Sequence, residues 1–362
     1  MSVPPLPTPP YCKRLPVILQ VHHDNDVLSI TTMQHNNDVL SITTMQYKDT
    51  ESLKKRAGKK LISESVATNL FWHNPHSPLR RSYDNATHCC EVLEQKGDKI
   101  ISTYCKCRWC AVCGAIRTAK AIKGYEPQLK TFQDLYFVTL TKQTVVGYDL
   151  PDSIAFMGKS WRKITDLARD KRWGRVGFKG VKKDECTQRP HDHYHYHFHV
   201  MIDGKENAQW LVSQWLRLMG NQASIDGQDI RPANERSFKE LFKYFTKLTF
   251  TIKDDERGFL PFDRMDVIYQ ALAGKKTFYP FGGLRMASEE VEELTSESFD
   301  NLEDEYQYWL WERCDWVSEV GDLLTGYKPT PEVAKLYLSP ADRPALVDMT
   351  GRIISSSHSC SH

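Results

Sequence analysis

The sequence has little net charge and lacks long apolar runs. Its 362 residues include 48 Lys and Arg against 46 Asp and Glu, which leaves a formal net charge of +2. No stretch approaches the roughly 18 consecutive apolar residues that a membrane-spanning helix needs. The first residues also lack the basic and apolar blocks of a secretory signal. We therefore expect a cytoplasmic protein without a membrane partner.

The charges are nevertheless unevenly distributed along the chain. Residues 105–185 contain 17 basic and 8 acidic side chains, whereas residues 289–322 contain 13 acidic side chains and one base, Arg313. This asymmetry is typical of a basic unit that meets phosphate and an acidic appendage that does not. Two ordinary solvated faces would give the same pattern, so charge by itself leaves both interpretations open.

Composition and periodicity predict an α+β protein with several segments. β-branched and aromatic residues at 136–141 predict a strand, and apolar residues recur at helical spacing in 157–168, 210–218 and 237–248. Near the N-terminus, residues 23–34 recur almost unchanged as residues 35–46, which indicates a duplication in the coding DNA. The predicted segments are a variable, partly disordered region (1–78), a cysteine module (79–125), a central domain (126–285) and an acidic, partly helix-like C-terminal extension (286–362).

Six of the ten cysteines fall within residues 89–113. In a reducing compartment such clustering indicates metal binding in place of disulfides. Cys110 and Cys113 form a Cys-x-x-Cys pair, and Cys105 with either Cys89 or Cys90 completes four thiolates for a structural Zn²⁺. The spacing does not choose between Cys89 and Cys90, and buried free thiols are the alternative. Three basic residues near the cluster are candidates for contact with DNA phosphates: Arg108, Arg117 and Lys120.

Histidines occupy alternate positions in residues 191–199. Because successive side chains of a strand point to opposite faces, His195, His197 and His199 share one face. Two such imidazoles can reach one divalent ion, and Glu185 on a neighbouring antiparallel strand is the candidate third ligand. A mixed imidazole and carboxylate set suits Mg²⁺ or Mn²⁺ acting on a phosphate, with Zn²⁺ as the alternative.

A predicted helix over residues 237–248 carries Glu240, Tyr244 and Lys247 away from its apolar stripe, at spacing i, i+4, i+7. A tyrosine hydroxyl can attack a phosphodiester and conserve the bond energy as a phosphotyrosine. Lys247 can stabilise the developing charge, and Glu240 can act as a base. Taken alone, three polar residues on one helix face would indicate only a solvated surface.

Together and in this order, these motifs resemble those of rolling-circle replication initiators of small plasmids, members of the HUH endonuclease superfamily. The resemblance covers about residues 85–285. Tyr196 and Ala111 stand where the family usually has proline, and neither position supplies a ligand. The segments that resemble family motifs are residues 136–141, 185–187, 195–200, 240–247 and 271–276.

The resemblance implies a nuclease domain with a central antiparallel sheet flanked by helices, preceded by the zinc module. It implies that Tyr244 nicks one strand at the double-strand origin by metal-dependent transesterification, stays joined to the 5′ end and leaves a 3′-OH primer. In one branch of the family, a glutamate four residues before the tyrosine promotes the terminating hydrolysis. The resemblance therefore implies this role for Glu240, with rejoining as the other way to end the cycle. Origin DNA, as a single strand or a hairpin, is the expected substrate, and a host helicase and DNA polymerase are the expected partners.

Two other functions agree with the same motifs. A transposase or relaxase of the superfamily would act on a transposon end or a transfer origin. A non-catalytic, zinc-dependent DNA-binding regulator would use the histidines as a metal sensor and would give no nicked product.

Overall fold

The computed structural model describes residues 50–96, 99–170, 174–242, 249–251, 257–259, 261–286, 306–331, 333–334, 346–347 and 353–355. All of them fall within the unit Lys48–His362. The duplicated segment at residues 23–46 lies outside the described residues. No described helix is both long and apolar enough to span a membrane.

The described residues alternate helices with strands. The helices are α1 (Thr50–His73), α2 (Arg80–Thr87), α3 (Ala111–Leu129), α4 (Leu150–Arg169), α5 (Lys205–Met219), α6 (Glu235–Phe242) and α7 (Phe262–Leu272). The strands are β1 (Val92–Lys96), β2 (Lys99–Ser102), β3 (Leu135–Thr141), β4 (Val145–Val146), β5 (Gly180–Arg189), β6 (His193–Asp203), β7 (Asp229–Pro232), β8 (Thr249–Thr251), β9 (Arg257–Phe259), β10 (Phe278–Phe281), β11 (Tyr306–Leu310), β12 (Asp315–Ser318), β13 (Leu346–Val347) and β14 (Ile353–Ser355).

A six-stranded antiparallel sheet forms the centre of the fold. Its strand order is β10-β5-β6-β3-β7, and β4 pairs with the beginning of β6. Because β6 pairs with β5 along one edge and β3 along the other, its backbone is held on both sides. The predicted α+β class with an antiparallel sheet flanked by helices is confirmed, and the strand predicted at residues 136–141 is β3.

Helices cover both faces of this sheet. On one face, the rings of Trp161 in α4 and Trp215 in α5 pack 6.0 and 5.4 Å from the ring of Phe198 in β6. On the other face, a smaller apolar cluster joins α3 and α6 to the strands, and it includes Leu129, Phe137, Val181, Met201 and Leu241. The helices predicted from the spacing at residues 157–168 and 210–218 are confirmed as parts of α4 and α5.

A second sheet brings distant parts of the chain together in the order β12-β11-β1-β2. The helix-like prediction is wrong for residues 306–310, which form β11. Apolar burial explains the difference, because Trp309 and Trp316 are buried with their ring centres 4.9 Å apart. Trp316 also donates from Nε1 to the carbonyl oxygen of Cys90 at 3.0 Å. This sheet therefore joins β1 and β2, which precede the predicted boundary at residue 286, to β11 and β12, which follow it.

The helix α1 lies within the region predicted to be variable and partly disordered. It packs on α2 and α3 through fully buried residues such as Leu61 and Leu70. Buried Lys60 donates to the carbonyl oxygen of Thr87 at 2.6 Å, and Ser63 donates to the sulfur of Cys110 at 3.1 Å. Residues 50–73 are thus part of the cysteine module's core, which the sequence did not predict.

Candidate metal centre and cysteine cluster

Three side chains that could bind a metal ion meet on the face of the central sheet that α3 and α6 cover. Glu185 of β5 lies directly opposite His197 of β6 in the antiparallel register, and His199 follows two residues later. One ligand atom from each residue lies within 4.8 Å of the other two. All three residues are buried. We call them the metal group, because two imidazoles and a carboxylate at this spacing can hold a divalent ion.

Hydrogen bonds orient both imidazoles of the metal group. His197 Nδ1 lies 3.2 Å from the carbonyl oxygen of His195, and His199 Nδ1 lies 3.3 Å from Thr139 Oγ1. This leaves His199 Nε2 free to face Glu185, whose carboxylate oxygen is 3.5 Å away. Such outer contacts fix the orientation and tautomer of a metal-binding histidine.

The metal group does not include His195, which the sequence predicted as a further ligand. In the register of the sheet His195 lies opposite Thr187, which is two residues along β5 from Glu185. Its ring stacks on that of His197 with 5.0 Å between the ring centres. The carbonyl oxygen of His195 orients His197, and a ligand role for the His195 imidazole stays a prediction.

Burial and neighbouring charges set the protonation of the metal group. Burial lowers the pKa of His197 to about 4, and the adjacent His199 adds to this effect. Burial acts to raise the pKa of Glu185, but the hydrogen bond with His199 and the charge of Lys183 outweigh it and lower that pKa to about 2. Neutral imidazole and ionised carboxylate are the forms that bind a metal ion.

Two cations that sequence reasoning missed lie beside the metal group. Buried Lys183 places Nζ 3.5 Å from Glu185 Oε2 and 3.2 Å from the carbonyl oxygen of Glu240. Arg231 of β7 forms an ion pair with Glu240 at 2.9 Å, and its guanidinium lies 4.5 Å from the ring centre of Phe137. Because side chains alternate along a strand, the sequence places Lys183 on the same face as Glu185, and this signal could have identified it. No local pattern connects Arg231 of β7 with the histidines.

Only one of the three predicted catalytic residues lies in the described part of the chain. Glu240 of α6 places Oε1 3.8 Å from His199 Nε2. Asn234 caps this helix, because its side chain accepts a hydrogen bond from the backbone N–H of Ser237 at 3.1 Å. Tyr244 and Lys247, with the rest of the helix predicted up to residue 248, lie outside the described residues.

The second candidate site is a cluster of four cysteines at the start of α3. The sulfurs of Cys89, Cys105, Cys110 and Cys113 all lie within 4.8 Å of one another. The Cys89–Cys113 and Cys105–Cys113 distances are 3.5 and 3.7 Å. Tetrahedral zinc with Zn–S bonds of about 2.3 Å separates its sulfurs by roughly 3.8 Å. The donor set and spacing therefore fit a structural zinc ion.

The structure distinguishes between the two adjacent cysteines that spacing left equivalent. Cys89 belongs to the cluster, whereas Cys90 has a positive φ of 60° and lies outside it. Cys107 is also outside the cluster, with its sulfur 3.1 Å from Ser82 Oγ.

The three predicted DNA-contacting residues have different surroundings. Arg117 donates to the carbonyl oxygens of Lys106 and Cys107, so it also stabilises the loop of the cysteine cluster. Arg108 and Arg117 line a hollow of about 130 Å³ together with Lys183 of the central sheet. Burial lowers the pKa of Arg108, and the charge of Arg117 adds to this effect. Lys120 is half-buried on α3, and contact of these residues with DNA stays a prediction.

The fold and the two sites define an α+β protein with two groups of side chains that can each hold a metal ion. A family model described as "replication protein" matches residues 99–309. This is more than half of the chain, which therefore belongs to that family of replication proteins. Membership supports a plasmid replication initiator that binds DNA. No curated protein and no solved structure matches the chain.

We expect the cysteine cluster to bind one zinc ion per chain. Cys113→Ser should lose this ion and destabilise the protein strongly, because structural zinc supplies on the order of 10 kcal/mol of folding free energy. Cys107→Ser is the matched control and should keep both zinc and stability. Elemental analysis and thermal unfolding of the two variants measure the difference. Equal zinc loss in both would contradict the assignment.

The buried histidine of the metal group predicts a pH-dependent stability without added divalent ion. The folded pKa of His197, about 4, lies below its ordinary value of 6.5. The unfolded chain therefore binds the extra proton between these values, and stability is lost as the pH falls through this window, by at most about 3 kcal/mol. Urea unfolding at pH 7 and pH 4.5 should show a smaller loss in His197→Gln than in the unaltered chain.

The matched control for this measurement is His76→Gln, which alters an exposed histidine. It should lose as much stability on acidification as the unaltered chain. An identical loss in all three proteins would show that His197 does not contribute.

Proposed function

We propose that this protein initiates rolling-circle replication by nicking one strand of the plasmid's double-strand origin. The observation that carries the proposal is the metal group of Glu185, His197 and His199 within a member of a replication-protein family. Cleavage of a phosphodiester needs a large barrier reduction, on the order of 20 kcal/mol. A buried group able to hold a divalent ion is the feature that can supply much of it.

Glu185, His197 and His199 would hold Mg²⁺ or Mn²⁺, which when bound polarises the scissile phosphate. Lys183 Nζ, 3.5 Å from Glu185, offsets the charge of that carboxylate where a polyanionic strand must approach. The low pKa values of Glu185 and His197 keep both residues in their metal-binding forms at neutral pH.

Tyr244 is the proposed nucleophile. Its oxygen forms a bond to phosphorus while the bond from phosphorus to the 3′ oxygen breaks, so the proton of the tyrosine is lost and the 3′ oxygen gains one. Tyr244 follows Glu240 by four residues, a length of chain that spans at most about 14 Å, and the Glu240 carboxylate lies 3.8 Å from His199. Lys247 is proposed to stabilise the phenolate or the phosphate charge.

Glu240 is proposed to act when the cycle ends. Its carboxylate would take the proton of a water molecule or an incoming hydroxyl that releases the tyrosine, by hydrolysis or rejoining. The ion pair with Arg231 at 2.9 Å holds this carboxylate beside His199, and its side chain is two-fifths exposed, so a solvent nucleophile can reach it. A host DNA polymerase would extend the free 3′-OH, and a host helicase would separate the strands.

The test is an assay of nicking and covalent attachment. Incubation with Mn²⁺ and supercoiled DNA that carries the region adjacent to the coding sequence should give nicked DNA with protein on the 5′ end. Tyr244→Phe should lower the rate on the order of 10⁴-fold or more, because the nucleophile is lost. Electrophoresis of nicked circles and of the protein–DNA adduct measures both products.

Two further variants sharpen the assay. Tyr148→Phe, at a tyrosine that is 84% exposed, is the matched control and should nick normally. Glu240→Ala should still nick but leave the protein–DNA adduct unresolved. An adduct formed by Tyr244→Phe, or none formed by the unaltered chain, would contradict the proposal, and the second result would favour a regulator.

A further inference from the structure

A large cleft lies on the face of the central sheet that carries α4, away from the metal group. It runs between α4 and the segment around β10, with a volume of about 1160 Å³. Alternation along β5 separates the two sites, since Lys183 and Glu185 point to the metal group while Lys182 and Asp184 line the cleft. The cleft is thus a second concave surface that the nicking chemistry does not use.

The cleft is strongly basic. Its acidic lining residue, Asp184, is buried and paired with Lys182, so it offers little repulsion to an anion. Lys159 and Arg162 on α4, and Arg285 beyond β10, are exposed and form no ion pair within the part of the chain that the structure describes. Five further basic residues line the cleft, and three of them, Arg169, Arg175 and Lys179, form ion pairs with acidic residues outside the lining. Unpaired cations along a groove attract a phosphate backbone.

The floor and one wall of the cleft are aromatic. Lys182 Nζ lies 3.8 Å from the ring centre of Phe198 and 4.3 Å from that of Tyr279. Tyr196 donates to Asp184 at 2.6 Å, which fixes this carboxylate below the surface. Tyr279 and Phe281 line the wall and are half-buried, so part of each ring stays accessible. Aromatic rings beside a basic groove are the usual platform for unpaired bases.

Size and chemistry favour an extended ligand. The volume exceeds the roughly 300–1,000 Å³ of small-molecule sites, and the cations lie on both walls. In a duplex the bases are stacked on one another inside the helix, so only a single strand can use the aromatic wall together with the cations.

We propose that this cleft binds a segment of single-stranded DNA separate from the segment at the metal group. The ligand class rests on the proposed function, in which nicking and strand displacement generate single-stranded DNA. One strand bound at both places would pass around β10, the edge strand of the central sheet. The cleft would then retain the DNA while the strand is cut beside the metal group.

The experiment measures binding of a fluorescently labelled single-stranded oligonucleotide of mixed sequence by anisotropy, without divalent ions. The triple variant Lys159→Ala, Arg162→Ala, Arg285→Ala should bind about ten- to a hundredfold more weakly near 0.1 M salt. The slope of log K against log salt should fall by about two, since each contact with a single-strand phosphate contributes about 0.7. Thermal unfolding of the variant checks that the fold is retained.

The matched control is Lys163→Ala, because Lys163 is an exposed residue of α4 that does not line the cleft. It should bind like the unaltered chain. Unchanged binding by the triple variant, or an equal loss in the control, would overturn the proposal. A duplex that depends equally on the three cations would overturn the choice of a single strand.

A second experiment tests whether binding in the cleft is independent of the proposed nicking function. His199→Ala should lose nicking but keep the salt-dependent binding that the three cations provide. If the unaltered chain fails to nick while the triple variant still binds more weakly, the proposed function fails and the cleft assignment stands. Loss of the cation-dependent binding in His199→Ala would overturn the independence of the two sites.

Discussion

The antiparallel pairing of β5 with β6 is the constraint on which the rest of the structure depends. It places Glu185 directly opposite His197, which brings the carboxylate and the imidazoles to one point. The same pairing directs Lys182 and Asp184 to the opposite face. A slip of one residue would exchange the two faces, so register alone decides which chemistry each side of the sheet carries. Both flanking layers of helices protect that register, because they bury apolar residues of β6 and its neighbours.

Buried charges are costly unless they are compensated, and the central sheet compensates them within each face. Lys183 lies beside Glu185, and Lys182 is paired with Asp184. Removing one partner of such a pair leaves an uncompensated buried charge, which is strongly destabilising. These pairs therefore keep ionic side chains in the middle of the sheet, where one carboxylate is available to a metal ion and the other is held below a basic cleft.

Local patterns were sufficient to predict the parts of the fold that depend on short-range alternation. The period of two in residues 191–199 gave the face that carries His197 and His199, and the cysteine spacing gave three members of the cluster. Features that depend on contacts between distant segments could not be predicted from local patterns. The residues before β11 are acidic and helix-like in sequence, yet residues 306–310 form a strand in which Trp309 is buried against Trp316. Cys90 lies outside the cluster with a positive φ, and its carbonyl oxygen accepts a hydrogen bond from the distant Trp316. Arg231 reaches Glu240 only through the pairing of β7 with β3.

The most direct test of the central claim is to locate a divalent ion in crystals of the protein grown with Mn²⁺. Anomalous scattering should show a peak within bonding distance of Glu185, His197 and His199, with a separate zinc peak at the cysteine cluster, and the manganese peak should disappear in His199→Ala. Crystals with Mn²⁺ in excess that show the zinc peak alone, or manganese bound elsewhere, would contradict the account.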